Sequence, residues 1–168
     1  MTPDLRNLIL QLLDGHRIMT VATNRPDGWP QATIVGYVND GLLLYSFIAR
    51  VGQKYDNITR DPRVSVAIAS DFANPNDIRG LSLAGRAAVV ENPKEFDRVC
   101  DLLIKRYPEY ADWPTPTPAL APLLRITPEI ISVLDYTKGF GHSDLVTIAR
   151  SDLPARVETV KRGWFHRS

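Results

Sequence analysis

Short runs of β-branched and aromatic residues, each followed by turn-forming residues, dominate the chain and constrain its fold most strongly. They predict strands over residues 16–23, 31–38, 42–47, 63–69 and 78–90. The Asp40-Gly41 pair separates the second and third runs and predicts an antiparallel hairpin between them. Because these strands do not alternate with helices, the pattern disfavours a doubly wound parallel sheet.

Helical periodicity is confined to three segments at the periphery of this pattern. The segments cover residues 4–14, 52–60 and about 93–107. Two further apolar runs, 123–126 and 130–136, predict a last strand pair or one bent strand. Gly80 and Gly85 interrupt the long run 78–90, which is typical of a bulge or of a bend at a barrel corner. The expected fold is mainly β (α+β), a small antiparallel barrel with peripheral helices.

Length and charge place the chain in a broad class. Its 168 residues are 44% hydrophobic, enough for one domain with a core that needs neither disulfides nor a structural metal. A net charge of +1 provides no global field toward nucleic acid or an anionic membrane. One cysteine excludes a disulfide framework, and we find no signal peptide or transmembrane pattern. We therefore expect a cytoplasmic protein.

Familiar catalytic and metal-binding motifs are absent from the sequence. His16, His142 and His166 have no metal-ligand spacing. Cys100 lies on the apolar stripe of its predicted helix, where a buried hydrophobic role is expected. No serine stands in a nucleophile-elbow motif. We therefore identify no catalytic residue and no metal site.

The start of the second predicted helix is more informative. Lys54 falls in its first turn, where the helix dipole disfavours a cation. Free backbone N–H groups at a helix N-terminus, with a lysine beside them, form a site suited to phosphate. Arg50 and Gly52 lie just before it. The alternative is that Lys54 is an ordinary solvated surface residue.

Several short motifs occur in an order that resembles one known family. They are Gly28-Trp-Pro-Gln-Ala-Thr-Ile-Val35, Leu43-Leu-Tyr-Ser46, Gln53-Lys54 with Asn57, Asp61-Pro-Arg-Val-Ser65 and Leu83-Ala-Gly-Arg-Ala87. Across residues 16–136 this order resembles the pyridoxamine 5'-phosphate oxidase-like, FMN-binding family. The resemblance implies a split β-barrel that forms a homodimer, with FMN at the subunit interface. It also implies one domain over residues 1–168, with its core at about 16–136 and a C-terminal loop and tail at 137–168.

The resemblance also assigns roles to the residues around the cofactor. Gln53 and Lys54 match the pair that holds the FMN phosphate. Gln53 replaces the arginine common there, which would remove one charge and either weaken phosphate binding or shift it to Arg50. The remaining matches are Ala32, Thr33, Ile34 and Val35, whose backbone would line the flavin ring, Tyr45 and Ser46 at a strand end beside it, Asn57 as a polar flavin contact, and Arg79 and Gly80 near the partner subunit.

The C-terminal region departs from the vitamin B6 oxidases. Asp135-Tyr-Thr-Lys-Gly-Phe-Gly-His142 stands where those enzymes carry an Arg/His-rich substrate motif. Ala32 and Thr33 also occupy the neighbourhood of an expected arginine. We therefore expect an FMN-dependent oxidoreductase that acts on a small molecule other than vitamin B6. Our hypothesis for residues 136–142 is a flexible loop whose Lys138 or His142 contacts substrate or phosphate; the alternative is a solvent-exposed loop.

Two other interpretations keep the barrel and change the ligand. In a deazaflavin-dependent reductase, Arg50, Lys54 and Arg79 could serve the longer acidic tail of that cofactor. In a non-catalytic flavin- or haem-binding protein, His142 or His166 would be a candidate axial ligand for haem.

Overall fold

The computed structural model describes residues 1–114 and 116–154. Three helices are present in this part of the chain, α1 (Pro3–Asp14), α2 (Gln53–Arg60) and α3 (Pro93–Arg106). Its strands are β1 (Ile18–Asn24), β2 (Pro30–Gly36), β3 (Val38–Asp40), β4 (Leu43–Phe47), β5 (Arg63–Ala69), β6 (Arg79–Val89), β7 (Leu123–Asp135) and β8 (Ser143–Thr147). No helix among these residues is long and apolar enough to span a membrane.

The strands form one antiparallel sheet that curls into a half-barrel. Their order is β2-β1-β5-β6-β7-β4-β3, and β8 also pairs with β7. The long strand β7 carries β4 along its first half and β8 along its second half. The two alternatives for the last apolar runs thus resolve into one continuous strand. The predicted antiparallel split barrel with peripheral helices is confirmed.

A bulge in β7, with Glu129 as its extra residue, lies opposite Gly85, the glycine of β6 that the sequence indicated. The pairing of β6 with β7 shifts register between Ala84 and Gly85. A Cβ atom on Gly85 would lie 2.4 Å from the Thr127 carbonyl oxygen and 3.0 Å from Pro128 Cα. Because the two backbones approach so closely, only glycine fits at this position.

The predicted hairpin between residues 31–38 and 42–47 is wrong in its first strand. The Asp40-Gly41 turn forms, but only the short β3 pairs with β4, while β2 pairs with β1. The break falls at Tyr37, which is 1% exposed and donates its hydroxyl to the Leu13 carbonyl oxygen at 2.6 Å. This buried contact bends the chain, so the two halves of the run join different neighbours.

The sheet also continues beyond the residues where strands were expected to end. Residues 136–142 connect β7 to β8, which pairs with Ile130–Leu134. Backbone N–H groups close this connection, with Asp135 donating to the His142 carbonyl at 3.1 Å. Sequence analysis did not predict β8. The strand has only five residues, several of them polar, so it lacks a strong strand pattern.

The core has two parts, one inside the half-barrel and one beneath α3. Ile9 and Leu13 of α1 pack into the first, which contains Val21, Leu44 and Ile126. The second part groups Val38, Tyr45 and Leu123 with Val99 of α3 and Val90. Together they fix α1 and α3 against the sheet, and α2 contributes Ile58 to the first part.

Candidate functional site

A pocket of about 310 Å³ lies where β2, the end of β4 and the start of α2 meet. We call it the Lys54 pocket. Its lining residues are Gln31, Thr33, Val35, Phe47, Ile48, Ala49, Gly52, Gln53 and Lys54. Apolar side chains form one side, and the amides, hydroxyl and amine form the other.

The cationic side of the pocket is the N-terminus of α2. Gly52 is the N-cap residue, and no side chain caps the helix. The first backbone N–H groups of a helix have no intrahelical partner. Lys54 is half-buried here, and burial lowers the pKa of its amine. Within the described residues it forms no ion pair. A desolvated cation beside free N–H groups favours an anionic ligand.

Strand β2 contributes the second polar element. The Thr33 Oγ1 atom is buried and has no hydrogen-bond partner in the described part of the chain. Side chains alternate along a strand, so Thr33 and Val35 face the pocket. Ala32 and Ile34 point to the other face, where Ile34 is 69% exposed. The four consecutive residues expected along a flavin ring therefore divide between two faces.

A buried amide network supports the pocket from behind. Asn57 of α2 is 0% exposed and donates to Thr23 Oγ1 at 2.9 Å and to Gln31 Oε1 at 3.2 Å. It accepts a hydrogen bond from Gln53 Nε2 at 3.0 Å. Asn57 thus orients two pocket residues and does not line the pocket itself. Sequence analysis missed Gln31, although its spacing of two from Thr33 placed it on the same face.

Tyr45 and Ser46 of β4 do not line the Lys54 pocket. Both are almost fully buried, and they line a separate cleft beneath α3. The Tyr45 hydroxyl donates to Glu95 Oε1 at 2.9 Å. Burial, followed by the Glu95 carboxylate, raises the pKa of Tyr45 above its usual range. Phe47 is the residue of β4 that borders both the cleft and the Lys54 pocket.

The two arginines proposed near the cofactor are engaged elsewhere. Arg50 donates to the Pro118 carbonyl oxygen at 2.9 and 3.2 Å and to the Tyr55 hydroxyl at 2.8 Å. Arg79 binds Asp135 at 3.1 Å and Thr137 at 3.2 Å. Neither guanidinium lines the Lys54 pocket, and neither does Gly80, so Lys54 is the cation among its lining residues.

Lys138 and His142 meet in the connection between β7 and β8. Lys138 Nζ and His142 Nε2 lie 3.0 and 3.3 Å from the same Asp144 oxygen. Hydrogen bonds from Lys138 and then His142 lower the pKa of Asp144. Phe140 lies between them and is 89% exposed. The other histidine proposed as a haem ligand, His166, lies outside the described residues.

Comparison with known proteins assigns this fold and pocket to a family. The family model for pyridoxamine 5'-phosphate oxidase matches residues 5–134. The chain belongs to the pyridoxamine 5'-phosphate oxidase family. The match includes every residue that lines the Lys54 pocket, and it ends before the connection that holds Lys138 and His142.

Individual members and structural neighbours extend this assignment. General stress protein 26 of Bacillus subtilis (strain 168) is 24% identical over 132 residues, covering 79% of this chain and 89% of its own. A heme binding protein from Mycobacterium smegmatis has a TM-score of 0.72 at 19% identity; the match covers 88% of this chain but only 59% of that protein. A haem storage protein from Vibrio cholerae has a TM-score of 0.61 at 19% identity, over 72% of this chain and 87% of its own. These structures share the fold.

Proposed function

We propose that the Lys54 pocket binds FMN and that the protein is an FMN-dependent oxidoreductase of a small molecule other than vitamin B6. Lys54 and the α2 N-terminus would hold the phosphate. Gln31 and Thr33 would donate to or accept from the polar edge of the ring. Val35, Phe47 and Ile48 would form its apolar wall. This combination of a few placed polar groups and an apolar wall is what a cofactor pocket needs.

The observation that carries the proposal is the pair of uncompensated polar groups in one pocket. Burying a cation or a hydroxyl without a partner costs free energy. Lys54 and Thr33 both incur this cost in the described structure, and they line the same 310 Å³ space. A ligand with an anionic group and a polar ring edge satisfies both, whereas an apolar ligand satisfies neither.

The chain's own residues would bind and orient the cofactor. FMN supplies hydride and single-electron transfer when it is bound. Gln53 stands where a second cation is common in the family, so the phosphate would depend on one lysine and the backbone N–H groups of α2. Asn57 holds Gln31 and Gln53 through one hydrogen bond each. Its third hydrogen bond, to Thr23, fixes Asn57 itself against β1.

We propose further that the chain forms a homodimer with the cofactor at the interface. Strand β2 ends the strand order of the sheet. Trp29 just before β2 and Ile34 on it are 72% and 69% exposed. Exposed apolar residues along a sheet edge are typical of a surface that a partner covers. A second copy there would narrow the open side of the Lys54 pocket.

The connection between β7 and β8 is the proposed substrate contact. Lys138, His142 and Asp144 form a small charged cluster beside the exposed Phe140 ring. This cluster replaces the Arg/His-rich motif of vitamin B6 oxidases, which supports a different substrate. If alanine at Lys138 and His142 leaves both turnover and flavin affinity unchanged, the connection has no role in substrate binding.

The deciding experiment is an absorbance titration of the purified protein with FMN, followed by gel filtration. We expect paired flavin bands that co-elute with protein at the size of a dimer. A colourless protein that releases added FMN would overturn the proposal. Parallel titration with a deazaflavin tests the nearest alternative, for which the engaged Arg50 and Arg79 leave fewer cations for a longer acidic tail.

Haem is the second candidate ligand, because two structures of the same fold carry haem in their names. His142 is its candidate axial ligand among the described residues, and its Nε2 is oriented by Asp144. A Soret band after haem titration that is lost in His142→Ala would favour this alternative. No Soret shift would leave FMN as the ligand to test.

A further inference from the structure

A second cavity, of about 550 Å³, lies between α3, the segment that follows it and the outer side of β4. We call it the aromatic cleft. The residues that matter for its chemistry are Phe47, Cys100, Ile104, Tyr107, Tyr110 and Trp113. Its volume falls within the range of small-molecule sites, about 300–1,000 Å³. The cleft is therefore large enough for a ligand of its own.

Three of the four tyrosines that border the cleft present their rings to it, because their hydroxyls are hydrogen-bonded elsewhere. Tyr37 donates to the Leu13 carbonyl at 2.6 Å, and Tyr107 donates to the Tyr37 carbonyl at 2.8 Å. Tyr45 donates to Glu95 at 2.9 Å. A ligand in the cleft would gain no hydrogen bond from these three hydroxyls, so this part of the wall favours an apolar surface.

The charged residue of the cleft lining already has a partner of opposite charge. Arg17 is the charged residue among those that line it, and it forms an ion pair with Glu109. Its guanidinium lies 4.7 Å from the centre of the Tyr107 ring. Because this cation already has a carboxylate and an aromatic partner, it does not require an anionic ligand. This differs from the Lys54 pocket, where the cation has no described partner.

One wall of the cleft is a preformed aromatic surface. The Tyr107 and Tyr110 ring centres are 5.8 Å apart, and those of Tyr110 and Trp113 are 5.1 Å apart. Phe47 faces the cleft from β4, and its ring packs edge-to-face on Phe96 at 5.9 Å. Rings held in this way lose little conformational entropy when a flat ligand enters.

We propose that the aromatic cleft binds an uncharged aromatic small molecule of about two rings, at a site separate from the Lys54 pocket. The cleft offers rings and aliphatic side chains, with neither an unpaired charge nor a free tyrosine hydroxyl among Tyr37, Tyr45 and Tyr107. Among the residues that the structure describes, only Phe47 borders both cavities. The inference does not depend on the proposed function, since the cleft would remain if the chain bound no flavin.

The test uses N-phenylnaphthylamine, an uncharged probe whose fluorescence rises in apolar sites. We compare wild type with Ile104→Trp, which fills the cleft. The matched control is Ile130→Trp, because Ile104 and Ile130 are both 40% exposed and only Ile104 lines the cleft. Ile104→Trp should weaken probe binding about tenfold or more, and Ile130→Trp should change it less than about twofold.

Cys100 provides an independent readout in the unmodified protein. It is the only cysteine in the sequence and it lines the cleft. Burial raises the pKa of its thiol, so alkylation with iodoacetamide is followed at mildly alkaline pH. Saturating probe should slow alkylation several-fold. This measurement keeps the test decisive even if Ile104→Trp does not fold.

Three results would overturn the inference. If Ile104→Trp leaves the probe affinity unchanged and the bound probe does not slow alkylation of Cys100, the probe binds elsewhere on the protein. Displacement of the probe by FMN, or loss of probe binding in Lys54→Ala, would place it in the Lys54 pocket. Cys100 that is protected without probe, and becomes reactive only on dilution to monomer, would assign the cleft to a second copy of the chain.

Discussion

Helices α2 and α3 begin in similar ways and differ in how their first turns are satisfied. Each has a lysine at its second residue, Lys54 in α2 and Lys94 in α3. In α3, the Asn92 side chain accepts hydrogen bonds from the Lys94 and Glu95 N–H groups at 2.9 and 3.4 Å. In α2, Gly52 provides no side-chain cap. Lys94 is exposed, whereas Lys54 is half-buried.

The difference separates a helix start that serves stability from one that is available to a ligand. In α3 the Asn92 side chain accepts hydrogen bonds from first-turn N–H groups. The Glu95 carboxylate, also in the first turn, interacts favourably with the helix dipole. The α2 start instead combines an uncapped end, a half-buried lysine and the unpartnered Thr33 hydroxyl. The chain alone gains nothing from this arrangement, and an anionic cofactor would.

The inward faces of the two helices differ as well. This difference predicts the largest effect, a change in the free energy of unfolding. Asn57 anchors α2 by buried hydrogen bonds, while the buried residue of α3 is the apolar Val99. Asn57→Ala should lower the free energy of unfolding by roughly 2–4 kcal/mol, because it leaves buried polar partners unsatisfied. Urea denaturation measures it. The exposed Asn76→Ala is the control, and equal stability of the two variants would contradict the anchor.

The two lysines provide the most direct comparison of the helix starts. Lys54→Ala should weaken FMN binding by about 1.5–3 kcal/mol, roughly 10–150-fold, if its amine bonds the phosphate. Lys94→Ala removes a lysine from the same position of α3 and should leave the dissociation constant unchanged. Fluorescence titration of FMN measures both variants. Equal affinities would show that the α2 start has no special role in binding the anion.

The cap of α3 can be tested in the opposite sense. Asn92→Ala should destabilise the protein by about 1 kcal/mol, since it removes the acceptor for two N–H groups. FMN affinity should not change, because Asn92 lies outside the Lys54 pocket. Thermal denaturation and FMN titration separate these two effects. If affinity falls with stability, the two helix starts are not independent.

Thr33→Val separates binding from stability within the pocket itself. Removing a buried hydroxyl that has no partner should leave the stability of the ligand-free protein unchanged or raise it. If Thr33 bonds FMN, the same change should weaken binding by about 0.5–1.5 kcal/mol. Thr33→Ser keeps the hydroxyl and should keep the affinity for FMN. A loss of stability without loss of affinity would mean that the hydroxyl serves the fold.

The sequence predicted which helix start forms the α2 site, but it predicted less well how the neighbouring side chains are arranged around that site. The Gly52-Gln53-Lys54 helix start was identified because its signal is local. Gln31 was missed, although the two-residue period of β2 placed it beside Thr33. Asn57 was expected to contact flavin, yet it is buried behind the pocket, since its partners Thr23 and Gln31 are distant in sequence.

Errors in the fold have the same origin. The Asp40-Gly41 turn was predicted correctly from two residues, whereas the break at Tyr37 depends on its contact with Leu13 of α1. Strand β8 was missed because its pairing with β7 defines it more than its composition does. Local turn and cap signals are therefore readable from the sequence, and features set by long-range contacts are not.

The pH dependence of stability gives the smallest effect and tests the cost of Lys54 directly. Burial lowers the pKa of Lys54 below its usual 10.5 in the folded state. Between the folded and unfolded pKa values, the unfolded chain binds more protons, so the free energy of unfolding rises with pH. This penalty is fully present below the folded pKa and disappears above the unfolded one. Lys54→Met should therefore be more stable than wild type near neutral pH.

The advantage of Lys54→Met should shrink as the pH rises through the lowered pKa of Lys54 towards its usual 10.5, because wild type loses its buried charge over that interval. Urea denaturation at several pH values measures the difference between the two proteins. Saturating FMN should reverse its sign at neutral pH, since a phosphate beside the amine favours the charged form. A difference that is independent of both pH and FMN would mean that Lys54 is solvated, and the contrast between α2 and α3 would then concern only the cap.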